Sequence, residues 1–443
     1  MQRPLSPGFE KVFFLSEPPV PTNFSLVALF TGDPDEIAIS RALISLRERC
    51  LTAAVRLDKD ERGEVCFNTT EVPDFPLRVI KNTQEGDWHQ VVADQLGENF
   101  PSAQGPFIRV VLLKRSSNSA KGVPSTAELI LTFHHGVADG MSAVFFLRDL
   151  LCLLDDPEAQ LPNMPPSPEL HSVIPERAKR ALRTKSLVLV MKTALWFIRH
   201  GRRLGIPFRR ADRLIDGRPP WQHIYATSRR LTPAQTDLLM ARCREEGTSV
   251  HAALSAAWLR ARLQNNPARR RRKQVIWSAV NLREDLRAEG AFGVYMSIAF
   301  TFVKCDPNRD FWIVARQIKT QLEQDIHTGR VYHWVLTLIG LTDLSLGTLR
   351  QALPAFAVTP PLYDISLTNL GRLSLPARGG SLKLEAVYGP AVNSGEGDLT
   401  VGVSTACDQL TMTLAYRNYI LKREDAEKMA DAAVEALGQA VGW

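Results

Sequence analysis

Two adjacent histidines, His134 and His135, end the apolar run from Leu129 to Phe133 and enter a loop broken by Gly136 and Gly140. A run of this kind has strand character, and the glycines end it. Loops at strand ends often carry chemistry, because a rigid scaffold aims a side chain into a cleft. Histidine titrates near neutrality, so it can take a proton from an alcohol or amine and return it within one cycle. Asp139, four residues after His135, either accepts a hydrogen bond from the imidazole or turns away and anchors the loop, and spacing alone leaves both open. Two histidines that only cap a strand, or that bind a metal, are the competing readings for an isolated pair.

The whole string His134-His135-Gly136-Val137-Ala138-Asp139-Gly140 resembles the HHxxxDG motif of the CoA-dependent acyltransferase and condensation-domain superfamily. That group holds BAHD acyltransferases, chloramphenicol acetyltransferase relatives, peptide-synthetase condensation domains, wax ester synthases and mycobacterial polyketide-associated acyltransferases. The resemblance implies a catalytic motif with His134 and His135, the latter as general base. It also implies that Asp139 is a structural anchor and that Gly140 leaves room for the turn. The implied fold is α/β: two chloramphenicol-acetyltransferase-like domains, each a mixed β-sheet with helices packed on it, with an active-site tunnel at their interface.

Further stretches extend the resemblance. Asn281-Leu282-Arg283 is similar to the superfamily's second signature, which implies an ion pair from Arg283 to Asp139. The segment from Gly290 to Ser297 matches a Gly-rich loop near the cleft, where Tyr295 either lines a tunnel or packs in the core. The segment from Tyr363 to Gly371 resembles the strand facing the histidine, with Thr368 or Asn369 as donors to an oxyanion or as a plain strand exit. The plant signature DFGWG is absent, which argues against that branch.

The elements that hold the motif follow from periodicity. Gly105-Pro106 turns into an apolar strand from Phe107 to Leu113, which pairs with the motif strand as a hairpin across a Ser-rich loop at 115 to 127. Met141 to Leu154 follows as a helix with Val144, Leu147, Leu151 and Leu154 on one stripe, its N-terminus facing the cleft. Upstream, Lys11 to Ser16 and Ser25 to Thr31 are expected as strands, and Asp33 and Asp35 introduce a helix carrying Ile39, Leu43 and Leu46. Downstream, Thr232-Pro233-Ala234-Gln235 has the composition of a capping box. Helices are expected from His251 to Leu263, Arg309 to Ile326 and over 424–440, and strands at Gln274 to Val280, Gly380 to Val387, Asp398 to Ala406 and Leu410 to Tyr416.

Prolines at 162, 165, 166 and 168 mark a linker. The expected division is 1–165 for a first acyltransferase-like domain, 166–222 for a linker with a basic-flanked crossover helix, and 223–443 for a second such domain. The helical stretch within 177–203 reads as packed between the halves or as a peripheral membrane contact, and it is too short to span a bilayer. Arg269, Arg270, Arg271, Arg272 and Lys273 form a solvated basic turn, or a contact for a CoA phosphate or an acidic carrier-protein helix.

With 45% hydrophobic and 23% charged residues over 443 positions, the chain has the composition of a large globular protein rather than a disordered one. A net charge of +7 favours anionic partners but is too weak to imply nucleic acid, and no nucleic-acid motif is present. Six scattered cysteines without a CxxC pair point to reduced thiols, and neither a disulfide frame nor a metal site is expected. No signal peptide or spanning run is seen, so a cytoplasmic protein, peripherally membrane-bound in the alternative reading, is the expectation.

The sequence therefore implies a monomeric acyltransferase. It moves an acyl group from a thioester to a hydroxyl or amine in a ternary complex, with no permanently bound cofactor. Acyl-CoA or an acyl-phosphopantetheine is the co-substrate, an acyl-carrier protein a partner, and a small-molecule or lipid-like compound the acceptor. A stand-alone condensation enzyme, a wax ester or diacylglycerol synthase and a catalytically idle carrier-binding protein are the alternatives.

Overall fold

The structure, a computed structural model, describes residues 2–16, 21–115, 125–161, 164–165, 167–179, 188–189, 192–193, 214–215, 217–219, 222–265, 273–305, 309–342, 363–393 and 399–443. In the first half the chain forms β1 (Gln2–Pro4), α1 (Phe9–Ser16), β2 (Asn23–Thr31), α2 (Glu36–Arg49), β3 (Arg56–Lys59), β4 (Val65–Asn68), β5 (Leu77–Lys81), α3 (Asp87–Gly97), β6 (Ile108–Arg115), β7 (Thr126–His134) and α4 (Gly140–Asp155). The second half contributes β8 (Ile224–Arg230), α5 (Pro233–Glu245), α6 (Val250–Asn265), β9 (Gln274–Asn281), α7 (Arg283–Leu286), β10 (Met296–Val303), α8 (Phe311–His327) and α9 (Tyr332–Leu341). It ends with β11 (Ile365–Arg372), β12 (Arg378–Gly379), β13 (Leu382–Asn393), β14 (Leu399–Ala406), β15 (Gln409–Arg417) and α10 (Arg423–Val441).

Among the described residues two mixed six-stranded sheets dominate, ordered β12-β13-β2-β7-β6-β5 and β10-β9-β11-β14-β15-β8, with β1-β4-β3 as a small third sheet. Central strands such as β7 and β14 are buried along nearly their whole length, because both faces are covered. The first sheet packs on α2 and α4 through Leu43, Leu46, Phe146 and Leu147. The second packs on α6, α8 and α10 through Trp258, Val314 and Met429. A third apolar cluster, including Phe9, Phe13, Trp277, Tyr295 and Trp334, lies between the halves and surrounds the site.

Local chemistry accounts for the element starts. Asp35 caps α2 by accepting from the backbone of Ile37 and Ala38. The capping box of α5 forms as its composition predicts, with Thr232 and Gln235 satisfying each other's backbone N–H groups.

Two features depart from the sequence reading. The stretch from Lys11 to Ser16 lies in α1, a helix and not a strand. Phe9, Val12 and Phe13 share one buried face at helical spacing, and the Glu10 carboxylate accepts from Ser6 N at 2.8 Å and from Arg3 at 3.0 Å, tying down the first turn. A reading that starts at Lys11 sees only a short apolar run, which carries no period. In addition β13, which belongs to the second half by sequence, pairs antiparallel with β2 in the first sheet. It also lies against the second sheet, where Ser404 and Thr411 each donate to the Val387 carbonyl at 2.6 Å. Gly402 permits this crossing, since a Cβ there would collide with the backbone of Pro390.

Most of the basic-flanked stretch 177–203, much of the Pro-rich linker and Arg269 to Arg272 lie outside the described residues. Among the described residues no helix is long and apolar enough to cross a membrane.

Candidate active site

The motif loop hangs from the end of β7, which is held between β2 and β6. The backbone N–H of His134 donates to Phe107 O at 3.0 Å and that of His135 to Thr22 O at 2.7 Å, so both residues are fixed before their side chains are considered. They then diverge. The His134 ring stacks on Phe14 with centroids 3.9 Å apart, beside Phe107 and Phe100. Its Nδ1 accepts from Gly136 N at 2.9 Å, so its Nε2 carries the proton and faces Thr22 Oγ1 at 3.3 Å. Both nitrogens are thus taken up by Gly136 and Thr22, and His134 does not line the cavity described below.

His135 points the other way, into a cavity, with 8% of its surface exposed. Its Nδ1 lies 3.1 Å from Ala138 O. A carbonyl can only accept, so Nδ1 carries the hydrogen and Nε2 keeps its lone pair. Burial pushes the imidazole pKa below its ordinary value, more than the Asp139 charge raises it. The ring is held in its neutral form.

Asp139 does not bond the imidazole. Its Oδ2 accepts from Arg283 Nη1 at 2.7 Å and Tyr295 N at 2.9 Å, and its Oδ1 from Arg283 Nη2 at 2.9 Å and Ser142 N at 3.0 Å. The ion pair is bidentate and almost fully buried. Burial pushes the carboxyl upward, but Arg283 and the N–H donors outweigh it and hold the group below the usual carboxylate range. Arg283 also donates to the carbonyls of Ala291 and Gly293. One guanidinium thus ties the motif loop, the start of α4 and the 290–295 turn together, and α4 begins at Gly140 with Asp139 as its cap. A Cβ on Gly140 would come within 2.6 Å of Leu370 on β11, so the glycine allows the two halves to meet there.

The cavity opens between the halves, with about 790 Å³ of empty space when its solvent-open mouth is included. Phe9 and Phe13 of α1, Phe24, Trp334, Leu338, Met296 and Ile298 supply apolar walls, and His135 stands at one side. The opposing floor is the face of the second sheet, where Phe300, Trp277, Ser366 and Thr400 lie side by side across β10, β9, β11 and β14. Thr368 lies two residues further along β11, toward Leu370. A mainly apolar chamber with a few polar groups and one neutral imidazole suits binding a chain-like substrate beside a base.

The remaining expected residues divide. Thr368 lines the cavity. Asn369 does not: its Oδ1 accepts from Gly371 N at 2.8 Å and closes its own turn. Tyr295 lines a second, solvent-open cavity on the other side of the motif loop, and its hydroxyl donates to Pro168 O at 2.6 Å. Lys273 is exposed and away from both cavities. Among the described residues no group of His, Cys, Asp and Glu could hold a metal ion. Phe9, Phe13, Trp277, Trp334, Ser366 and Thr400 escaped the sequence reading as site residues. Only Ser366 had a signal, its period-two spacing with Thr368.

Residues 222–417 match the family model described as phthiocerol/phthiodiolone dimycocerosyl transferase C-terminus. No curated protein matches the sequence. Among solved structures, a trichothecene 15-O-acetyltransferase from Fusarium sporotrichioides superposes with a TM-score of 0.69 at 14% identity, covering 98% of this chain and 95% of that one. The first condensation domain of the CDA synthetase gives a TM-score of 0.68 at 15% identity, covering 100% and 97%. Polyketide synthase associated protein 5 from Mycobacterium tuberculosis gives 0.64 at 18% identity, covering 99% and 100%. The chain therefore has the two-sheet fold of these structures, and residues 222–417 are similar to the C-terminal region described for phthiocerol/phthiodiolone dimycocerosyl transferase.

Proposed function

We propose that the protein transfers an acyl group from a thioester to a hydroxyl or amine, with His135 as general base. The observation that carries this reading is the fixed tautomer: Nδ1 is committed to the Ala138 carbonyl, so Nε2 is the basic atom of a residue lining a mainly apolar cavity. Nε2 takes the proton of the acceptor as its heteroatom attacks the thioester carbonyl. The tetrahedral intermediate collapses with cleavage of the C–S bond, and the imidazolium returns the proton to the departing thiolate. No acyl-enzyme is required. The Thr368 hydroxyl and the N-terminus of α4 at Gly140 line the same cavity and are the candidates to steady the oxyanion.

Arg283 and Asp139 act through geometry, holding the loop that aims His135. The donor is acyl-CoA or an acyl-phosphopantetheine arm on a carrier protein. Condensation of an amine is the second reading, favoured by the match in fold to condensation domains.

The test is a panel of acyl-CoAs and acyl-carrier protein against alcohols and amines, read by intact mass. His135→Ala is expected to cut turnover by about 10²–10⁴-fold with its melting temperature nearly unchanged. Activity within a few-fold of the parent protein overturns the general-base role, and the acceptor class that reacts separates the two readings.

A further inference from the structure

A second imidazole is held in the same tautomer as His135, away from the motif. His89, in the first turn of α3, has its Nδ1 2.9 Å from Gly86 O, so Nδ1 carries the hydrogen and Nε2 keeps its lone pair. The Ser228 hydroxyl on β8 lies 3.0 Å from that Nε2 and therefore donates to it. The imidazole also stacks on Trp88, with centroids 3.7 Å apart, which fixes its plane. Burial pushes its pKa below the ordinary value, more than the Gly86 carbonyl and Glu427 raise it, so at neutral pH the ring is held in its neutral form.

His89 and Ser228 are both partly exposed, and they share an open cleft where α3 of the first half meets β8 and α10 of the second. Its lining differs from that of the His135 cavity: Tyr225 and Tyr416 supply aromatic faces, and Gln90, Thr227, Arg423 and Glu427 are polar or charged. Neither His89 nor Ser228 lines the His135 cavity. The Leu231 N–H donates to Leu410 O at 2.8 Å, which sets the phase of the β8–β15 pair. Alternation along an antiparallel pair then turns the N–H and C=O of Ser228 away from β15. The carbonyl accepts from Arg229 Nη1 at 2.8 Å, and the N–H is left on the outer edge of the sheet.

We infer that Ser228 and His89 form a second, hydrolytic site that cleaves small polar or aryl esters through an acyl-Ser228 intermediate. A hydroxyl bonded to an imidazole whose other nitrogen is committed to an oxygen is the arrangement that activates a serine nucleophile, and the Gly86 carbonyl stands where a carboxylate orients the ring in a Ser-His-Asp triad. Nε2 takes the hydroxyl proton as Oγ attacks the ester carbonyl, with the Ser228 N–H as the donor assigned to the oxyanion. The ester C–O bond breaks, and the imidazolium gives its proton to the departing alcohol. Water, deprotonated by Nε2, then attacks the acyl carbon. The bond to Oγ breaks, the imidazolium returns the proton to Oγ, and the carboxylic acid leaves. A long hydrocarbon acyl group would desolvate the polar lining without pairing it, so the site favours short acyl groups. The inference is independent of the acyl-transfer reading.

Diisopropyl fluorophosphate, which loses fluoride as an activated serine takes its phosphoryl group, tests this on the full chain with peptide mapping by mass spectrometry. Ser228 is expected to carry the label, and His89→Gln to slow labelling by about tenfold or more with its melting temperature nearly unchanged. Hydrolysis of para-nitrophenyl acetate should fall by about tenfold or more in Ser228→Ala, the smaller change and the second variant should His89→Gln unfold. The parent protein should cleave this acetate faster than the decanoate. No label on Ser228, labelling at the parental rate in folded His89→Gln protein, or acetate hydrolysis unchanged in Ser228→Ala overturns the inference, because a hydrogen bond that only ties α3 to β8 predicts all three. Faster cleavage of the decanoate overturns the assignment to small esters.

Discussion

Protonation of His135 is opposed by burial more strongly than Asp139 favours it, and this fixes the direction of its pH behaviour. A lowered pKa in the folded protein keeps the imidazole neutral below its ordinary value of 6.5, the form that the proposed base role needs. The acid limb of kcat/KM should therefore lie below pH 6.5 in a pH–rate profile, and a limb at or above that value would contradict the buried, neutral base. The same group contributes stability that is present above the unfolded pKa and is lost as pH falls through the lower folded one. Asp139 behaves alike at more acid pH, its contribution lost below the ordinary carboxylate range. Its partner is the more vulnerable: Arg283→Ala leaves a buried carboxylate unpaired and should cost about 3–5 kcal/mol in urea denaturation, with loss of activity. Arg283→Lys keeps the charge but not the two-pronged geometry, so it should rescue stability more than turnover.

At the scale of elements, α1 and β13 matter most for what the site becomes. Helix α1 covers the cavity with Phe9 and Phe13, and Phe9 also borders the second cavity, so this one helix separates the two spaces on either side of the motif loop. Strand β13 joins the first sheet while lying on the second, and Gly402 is where the approach is tightest. Gly402→Val drives a side chain into the Pro390 backbone, which cannot move aside like a flexible side chain. It should lower stability by about 1–3 kcal/mol or more, and an unchanged urea midpoint would show that the crossing is looser than the geometry implies.

At the scale of the molecule, the cavity exists only because two sheets, α1 and α9 enclose it. Trp277, Trp334 and Tyr363 form an aromatic wall backed by Phe300. Trp334→Ala removes part of that wall without touching the motif. Across a series of acyl donors, kcat/KM for longer chains relative to shorter ones should rise by about tenfold or more. An unchanged chain-length optimum would place the acyl chain elsewhere.

Much of this protein was legible from local chemistry. The motif from His134 to Gly140, the capping box at Thr232 and the strand that brings up Arg283 depend on residues close in the chain, where period and cap composition carry the signal. The direction in which each motif side chain points did not. That His134 is sealed behind Phe14 while His135 opens to the cavity is decided by which neighbours β7 acquires, and those come from β2, β6 and α1. The sequence by itself determined which groups could exchange a proton and which strands would carry them. The resemblance already pointed to His135 and to the pair of Asp139 with Arg283; only the tertiary structure decided how Phe14 seals His134 while His135 opens to the cavity, and that Trp277, Ser366 and Thr400 line up across three strands. Sheet register is set by pairings between residues far apart in the chain, and no local pattern encodes them.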